Sequence, residues 1–218
     1  MKRKLVWLAV FAVAMAYLEA AVVVYLRAIY YPAGFTFPLV VLPFRMALIE
    51  IAREAATAVM ILGVAVLAGS DRWERFLCFS LLFGIWDIFY YVWLYVTLAW
   101  PPSILTPDIL FLIPVPWVSP VLAPILISLG LVASALLLLR LRERGAVLTF
   151  HPALWALAIA GGALVLLSFT LDCERILAGG DPPPFRWGLF SAGAVVGAVA
   201  LAAGVLRLRR MIATGSRT

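Results

Sequence analysis

Residues 44–68 read FRMALIEIAREAATAVMILGVAVLA. A run of this length and apolarity can cross the roughly 30 Å hydrocarbon core of a bilayer as a helix. Three charged side chains, Glu50, Arg53 and Glu54, interrupt it. Insertion scales put each such charge near a bilayer centre at about 2.5–3.5 kcal/mol. Together they nearly cancel the apolar gain of the segment unless they pair, neutralise or line a wet cavity. The stretch thus predicts a membrane span and a polar site within it.

The composition extends that reading to the whole chain. Of 218 residues, 66% are hydrophobic and only 13% charged, where soluble domains carry about 25% charged residues. Too few polar groups exist to cover the surface in water. The net charge of +6 is decided by where the positives lie. Lys2, Arg3 and Lys4 precede the first apolar segment, Arg72 and Arg75 follow the second, Arg140, Arg142 and Arg144 follow the fourth, and Arg207, Arg209, Arg210 and Arg217 follow the last. Alternate loops and both ends are basic, as expected when Lys and Arg stay on the cytoplasmic side. No basic face with base-reading groups emerges, so nucleic acid is not an expected partner; membrane lipids are.

Six hydrophobic segments can be marked, at about 5–27, 44–68, 76–99, 119–139, 152–172 and 187–207. They predict an all-α, polytopic helical bundle, a single membrane domain over 1–218, with both termini cytoplasmic, in a bacterial-type cytoplasmic (inner) membrane. Continuous apolar runs argue against a barrel, whose strands are about 10 residues long and alternate. The opening MKRK followed by LVWLAVFAVAMA imitates a secretory signal, but the run continues to Tyr25, so an uncleaved first span is expected.

The outer connections are long and apolar. In WPPSILTPDILFLIPVPWV (100–118), Thr106-Pro107-Asp108 reads as a capped helix start, and a short helix is expected near 107–113. GGDPPPFRW (179–187) predicts a polyproline-type turn. Tyr25, Tyr30, Tyr31, Trp73, Trp100, Trp117 and Trp187 sit near segment boundaries, where an interfacial aromatic belt belongs. Gly193 and Gly197 form a GxxxG spacing that lets backbones approach, either within the chain or between subunits of a homo- or hetero-oligomer. Cys78 and Cys173 fall near opposite bilayer faces, too far apart to bridge, since bonded cysteines need Cα atoms within about 7 Å.

Intramembrane charges cluster in the first three segments. Glu50, Arg53, Glu54 and Thr57 share one helix face by their i, i+3, i+4, i+7 spacing, as do Asp87, Tyr90 and Tyr91 in the third segment. Glu19 lies at a matching depth in the first. The expected site is a polar cavity in the outer half of the bilayer, lined by Glu19, Glu50, Arg53, Glu54, Asp87, Tyr90 and Tyr91, with three or four carboxylates around Arg53. Four acids and one arginine cannot all pair. The structural alternative has Arg53 paired with Glu50 or Glu54 along one helix and Asp87 capped by a tyrosine hydroxyl. Arg27 and Arg45 are expected to snorkel to the outer headgroups, and Asp172 and Glu174 to cap the fifth helix beside Arg175.

Other chemistries find little support. His151 is the only histidine and is expected at the start of the fifth helix, which excludes bis-histidine haem ligation. No cofactor is expected, although Glu19, Glu50, Glu54 and Asp87 offer oxygens to a hard divalent cation such as Mg²⁺, an idea weakened by Arg53 among them. No catalytic residue set, P-loop or HExxH motif is present. Three functions follow in order: transport of a polar or cationic solute or protons, an accessory or assembly subunit of a larger membrane complex, and an intramembrane enzyme acting on a lipid or isoprenoid-type substrate.

Overall fold

A computed structural model describes residues 2–215 of the chain. Six of its helices are long and apolar enough to cross a membrane, and the chain is an all-α helical bundle. α1 spans Lys2–Tyr30, α2 Phe44–Ala68 and α3 Arg72–Leu98. A two-stranded antiparallel hairpin follows, β1 Pro107–Phe111 and β2 Trp117–Pro120. α4 covers Leu122–Glu143, α5 Pro152–Thr170, the one-turn α6 Cys173–Leu177, and α7 Trp187–Gly215. With 29 residues, α1 is about 43 Å long, ample to cross the hydrocarbon core.

α3 is the axis of the bundle. α1, α2 and α4 pack along it, while α7 joins α4 to α5. The reason is visible in residue size. An added Cβ at Gly84 of α3 would lie 2.7 Å from the Ser128 carbonyl and 2.8 Å from Val132 Cγ2, so α4 approaches the backbone of α3 directly. At Gly161 of α5 the same atom would lie 2.8 Å from both the Gly193 carbonyl and the Gly197 nitrogen. The GxxxG face of α7 is therefore used inside the chain, against α5, the first of the two arrangements the spacing allowed. Small residues at such crossings let van der Waals contact replace the missing hydrophobic drive between helices in lipid.

Surface and interior are inverted relative to a soluble protein. Leu48, Ile49, Val59, Met60, Leu62 and Leu67 of α2 are exposed, whereas its buried stripe is Glu50, Glu54, Thr57, Ile61 and Ala65. That stripe follows the helical repeat, polar towards Phe44 and apolar towards Ala68. The chemistry of α2 is therefore placed at one end.

The opposite end carries the basic residues. Asp71 caps α3 by accepting the backbone N–H groups of Trp73 (2.8 Å) and Glu74 (3.1 Å). It also takes the Arg142 guanidinium at the end of α4, and Lys4 pairs with Glu74. These pairs tie the start of α1, the α2–α3 turn and the end of α4 together. The Arg142 hydrogen bond holds the Asp71 carboxyl well below the usual carboxylate range, with the capping amides adding to the effect. His151 begins α5, accepting the Ala153 N–H at 3.2 Å through Nδ1, and Cys78 and Cys173 are both free.

Three expectations change. The segment 107–113 is not a helix: Pro107–Phe111 is a strand paired with Trp117–Pro120, because the connection folds back on itself through Pro114 and Pro116 and the two strands satisfy each other's backbone groups. Asp172 makes no capping bond; it pairs with Arg186 at 2.9 Å, which holds that guanidinium's pKa above its ordinary value. Among the belt aromatics, Tyr25 is exposed but Trp100 is buried inside the protein.

Candidate functional site

α1 and α2 each pack on α3 and, among the described residues, touch each other far less. Between them, at the end away from the basic loops, lies a cavity of about 380 Å³. The hairpin forms part of its wall, as do the residues joining α1 to α2.

The polar half of α2 supplies the first cluster. Arg53 Nε and Nη2 donate to Glu50 Oε2 at 3.0 and 2.9 Å, and Nη1 donates to Glu19 of α1. Thr57 donates its hydroxyl to the other Glu19 oxygen at 2.5 Å. Glu54, on the same face, accepts the Leu112 backbone N–H at 2.9 and 3.1 Å. A carboxylate thereby holds the hairpin against α2. Asp87 of α3 accepts the Ser128 hydroxyl of α4 at 2.7 Å. Two carboxylates bond Arg53 directly and Glu54 lies within electrostatic reach of it, three of the three or four that the sequence suggested, and Asp87 is capped by a serine rather than a tyrosine. All seven expected residues nonetheless line the one cavity.

A second cluster was not anticipated. Arg27, expected to snorkel outward, is only 8% exposed. Its Nη2 donates to Asp108 Oδ1 of the hairpin at 3.1 Å. Its guanidinium carbon sits 3.7 Å from the Trp100 ring centroid and 4.4 Å from that of Phe35, a range in which ring quadrupoles attract cations. These rings and the Asp108 bond hold the arginine inside the protein. Burial pushes the Asp108 carboxyl up to about 6, a rise that the neighbouring Arg27 charge limits. Arg45, by contrast, is exposed as expected.

The lining holds five acids, Glu19, Glu50, Glu54, Asp87 and Asp108, against two arginines, Arg27 and Arg53. The acid excess is the electrostatic signature of the site. Four buried side-chain polar atoms have no hydrogen-bond partner among the described residues, and three belong to this lining: Arg27 Nη1, Asp108 Oδ2 and Trp86 Nε1. The Tyr91 phenol lies near enough to act on the Asp108 charge, yet Oδ2 stays without a partner. Buried polar groups left so are uncommon and cost about 1–3 kcal/mol each. Among the described residues, no three His, Cys, Asp or Glu side chains are grouped to hold a metal ion.

No protein-family model, curated protein or solved structure matches this chain. The functional reading therefore rests on the chemistry of the cavity. The residues missed at the outset, Arg27 and Asp108, did carry a signal: each is a single charge in an otherwise apolar, aromatic-rich stretch, which is costly in lipid unless partnered.

Proposed function

We propose that this integral membrane protein transports a small cation with an apolar body, binding it in the cavity between α1, α2, α3 and the hairpin. One observation carries the reading: five acids face two arginines around a single intramembrane space. The low dielectric between the helices leaves that imbalance poorly screened, and a positively charged solute offsets it. Leu26, Leu39, Val40 and Leu42 line the same space, which suits alkyl groups better than a fully hydrated ion.

The depth of the site agrees with carriage across a membrane. Ionisable groups inside spans are costly and are retained where solutes or protons move. Glu54 is placed to connect occupancy with movement, since it holds the hairpin through Leu112; a cation competing for that carboxylate loosens the hairpin. The membrane concerned would be a bacterial-type cytoplasmic one, with the basic end inside.

Uptake into proteoliposomes tests the proposal. Wild-type protein accumulates labelled organic cations under an inside-negative potential, and Glu54→Gln and Asp87→Asn lose that uptake while keeping the thermal unfolding of the wild type. Equal uptake by the variants, or none by the wild type, overturns it.

A further inference from the structure

The cavity is aromatic as well as acidic. Trp86, Tyr90, Tyr91 and Phe111 line it beside Glu50, Glu54 and Asp87. Their rings form a connected group: Trp86 lies 6.4 Å from Tyr90 and 6.2 Å from Phe111 between centroids, and Tyr90 lies 5.1 Å from Tyr91. Three come from two adjacent turns of α3 and the fourth from the hairpin, so the group bridges α3 and the hairpin.

Each acid, meanwhile, already has a partner on at least one oxygen. Glu19 takes Arg53 and Thr57, Glu50 takes Arg53, Glu54 takes the Leu112 N–H, Asp87 takes Ser128, and Asp108 takes Arg27. They supply negative potential but share their lone pairs with the protein. A primary ammonium carries three donors, and the oxygens left open to it, such as Asp108 Oδ2, belong to acids already bonded to the protein through their other oxygen. A methylated ammonium has few donors or none; it needs only negative potential and ring faces. The cavity already treats one of its own cations this way, since the Arg27 guanidinium sits against the rings of Trp100 and Phe35.

We infer that the ligand of this cavity is a methylated, quaternary-type ammonium group, held by the Trp86–Tyr90–Tyr91–Phe111 rings within the field of the engaged carboxylates. The inference rests on the cation reading above and narrows it. The group is the same whether it belongs to a free solute or to the headgroup of a choline lipid.

The test uses the full chain in nanodiscs of anionic lipid only, read by intrinsic fluorescence and calorimetry. Choline and tetramethylammonium bind at least about tenfold more tightly than ethanolamine and methylammonium, a gap of about 1.4 kcal/mol. Tyr90→Phe keeps that preference and Tyr90→Leu abolishes it; where Tyr90→Leu does not fold, Phe111→Leu serves. In a second arm, phosphatidylcholine in the disc blocks free choline and phosphatidylethanolamine does not if the source is lipid, whereas neither blocks if the source is a free solute. Either result of that arm supports the shared chemistry. Primary amines binding as well as choline overturns the inference while leaving the cation reading intact. No binding of any cation overturns both.

Discussion

The two ends of this bundle handle charge in opposite ways. At the basic end, Lys4 pairs with Glu74 and Asp71 with Arg142, each acid matched to a base near helix termini and partly exposed. At the hairpin end, five acids and two arginines line one cavity deep between helices, and most are buried. The first arrangement organises helix ends and needs nothing more. The second retains an excess of one sign and three buried polar atoms without partners, which a purely structural role does not call for. Matched charge at a surface reads as architecture; unmatched charge in an interior reads as a site.

The sharpest way to break the comparison is to remove a base from each end. Arg53→Ala leaves Glu19 and Glu50 buried without their shared partner and is expected to cost about 3–5 kcal/mol, as for other buried pairs broken on one side. Thermal unfolding in detergent reads this as a large drop in Tm or a failure to accumulate. Arg142→Gln is expected to leave Tm nearly unchanged, because Asp71 keeps its capping amides and exposed pairs contribute little. Equal effects at the two ends would erase the distinction.

That contrast also explains what was legible in the sequence. The spans were, because continuous apolar runs are a local signal; α2 begins and ends where FRMALIEIAREAATAVMILGVAVLA does. The polar stripe Glu50, Glu54 and Thr57 was too, since helical spacing alone puts those residues on one face. The partners were not. Asp108 meets Arg27 across 81 residues of sequence, and Glu54 meets a backbone amide 58 residues away. Thr106-Pro107-Asp108 carries a local helix-start signal, and it lost to a non-local one: pairing of β1 with β2 and capture of Asp108 by Arg27 fix the segment as a strand.

A second prediction concerns occupancy rather than stability. Glu54→Gln and Asp87→Asn each keep the shape of the side chain and remove its charge. Each is expected to weaken cation binding by about tenfold, or ~1.4 kcal/mol, measured by calorimetry on reconstituted protein. Asp71→Asn, at the far end, leaves binding unchanged. A similar loss from Asp71→Asn would mean that the potential of the whole protein, not the cavity, attracts the cation.

A smaller effect comes from pH. Asp108 ionises at about 6; below that value it is protonated and neutral, above it negative. Cation affinity is therefore expected to rise modestly as pH increases through 6, within the field of Arg27, Asp87, Tyr90 and Tyr91. Asp108→Asn is expected to shrink the inflection, the remainder coming from the other acids of the cavity. At the basic end Asp71 is held low by Arg142, so its contribution to stability is present above the unfolded carboxylate range and is lost only in strong acid. A stability profile from pH 5 to 8 should show no step from that end.

The most direct measurement compares choline with its neutral carbon isostere, in which a quaternary carbon replaces the nitrogen. The two have the same shape and differ in charge. Wild-type protein in anionic-lipid nanodiscs is expected to bind choline and ignore the isostere, and Glu54→Gln is expected to narrow the difference. Equal affinity for both, with no response to Glu54→Gln, would show that the acid excess of the cavity does not select a cation.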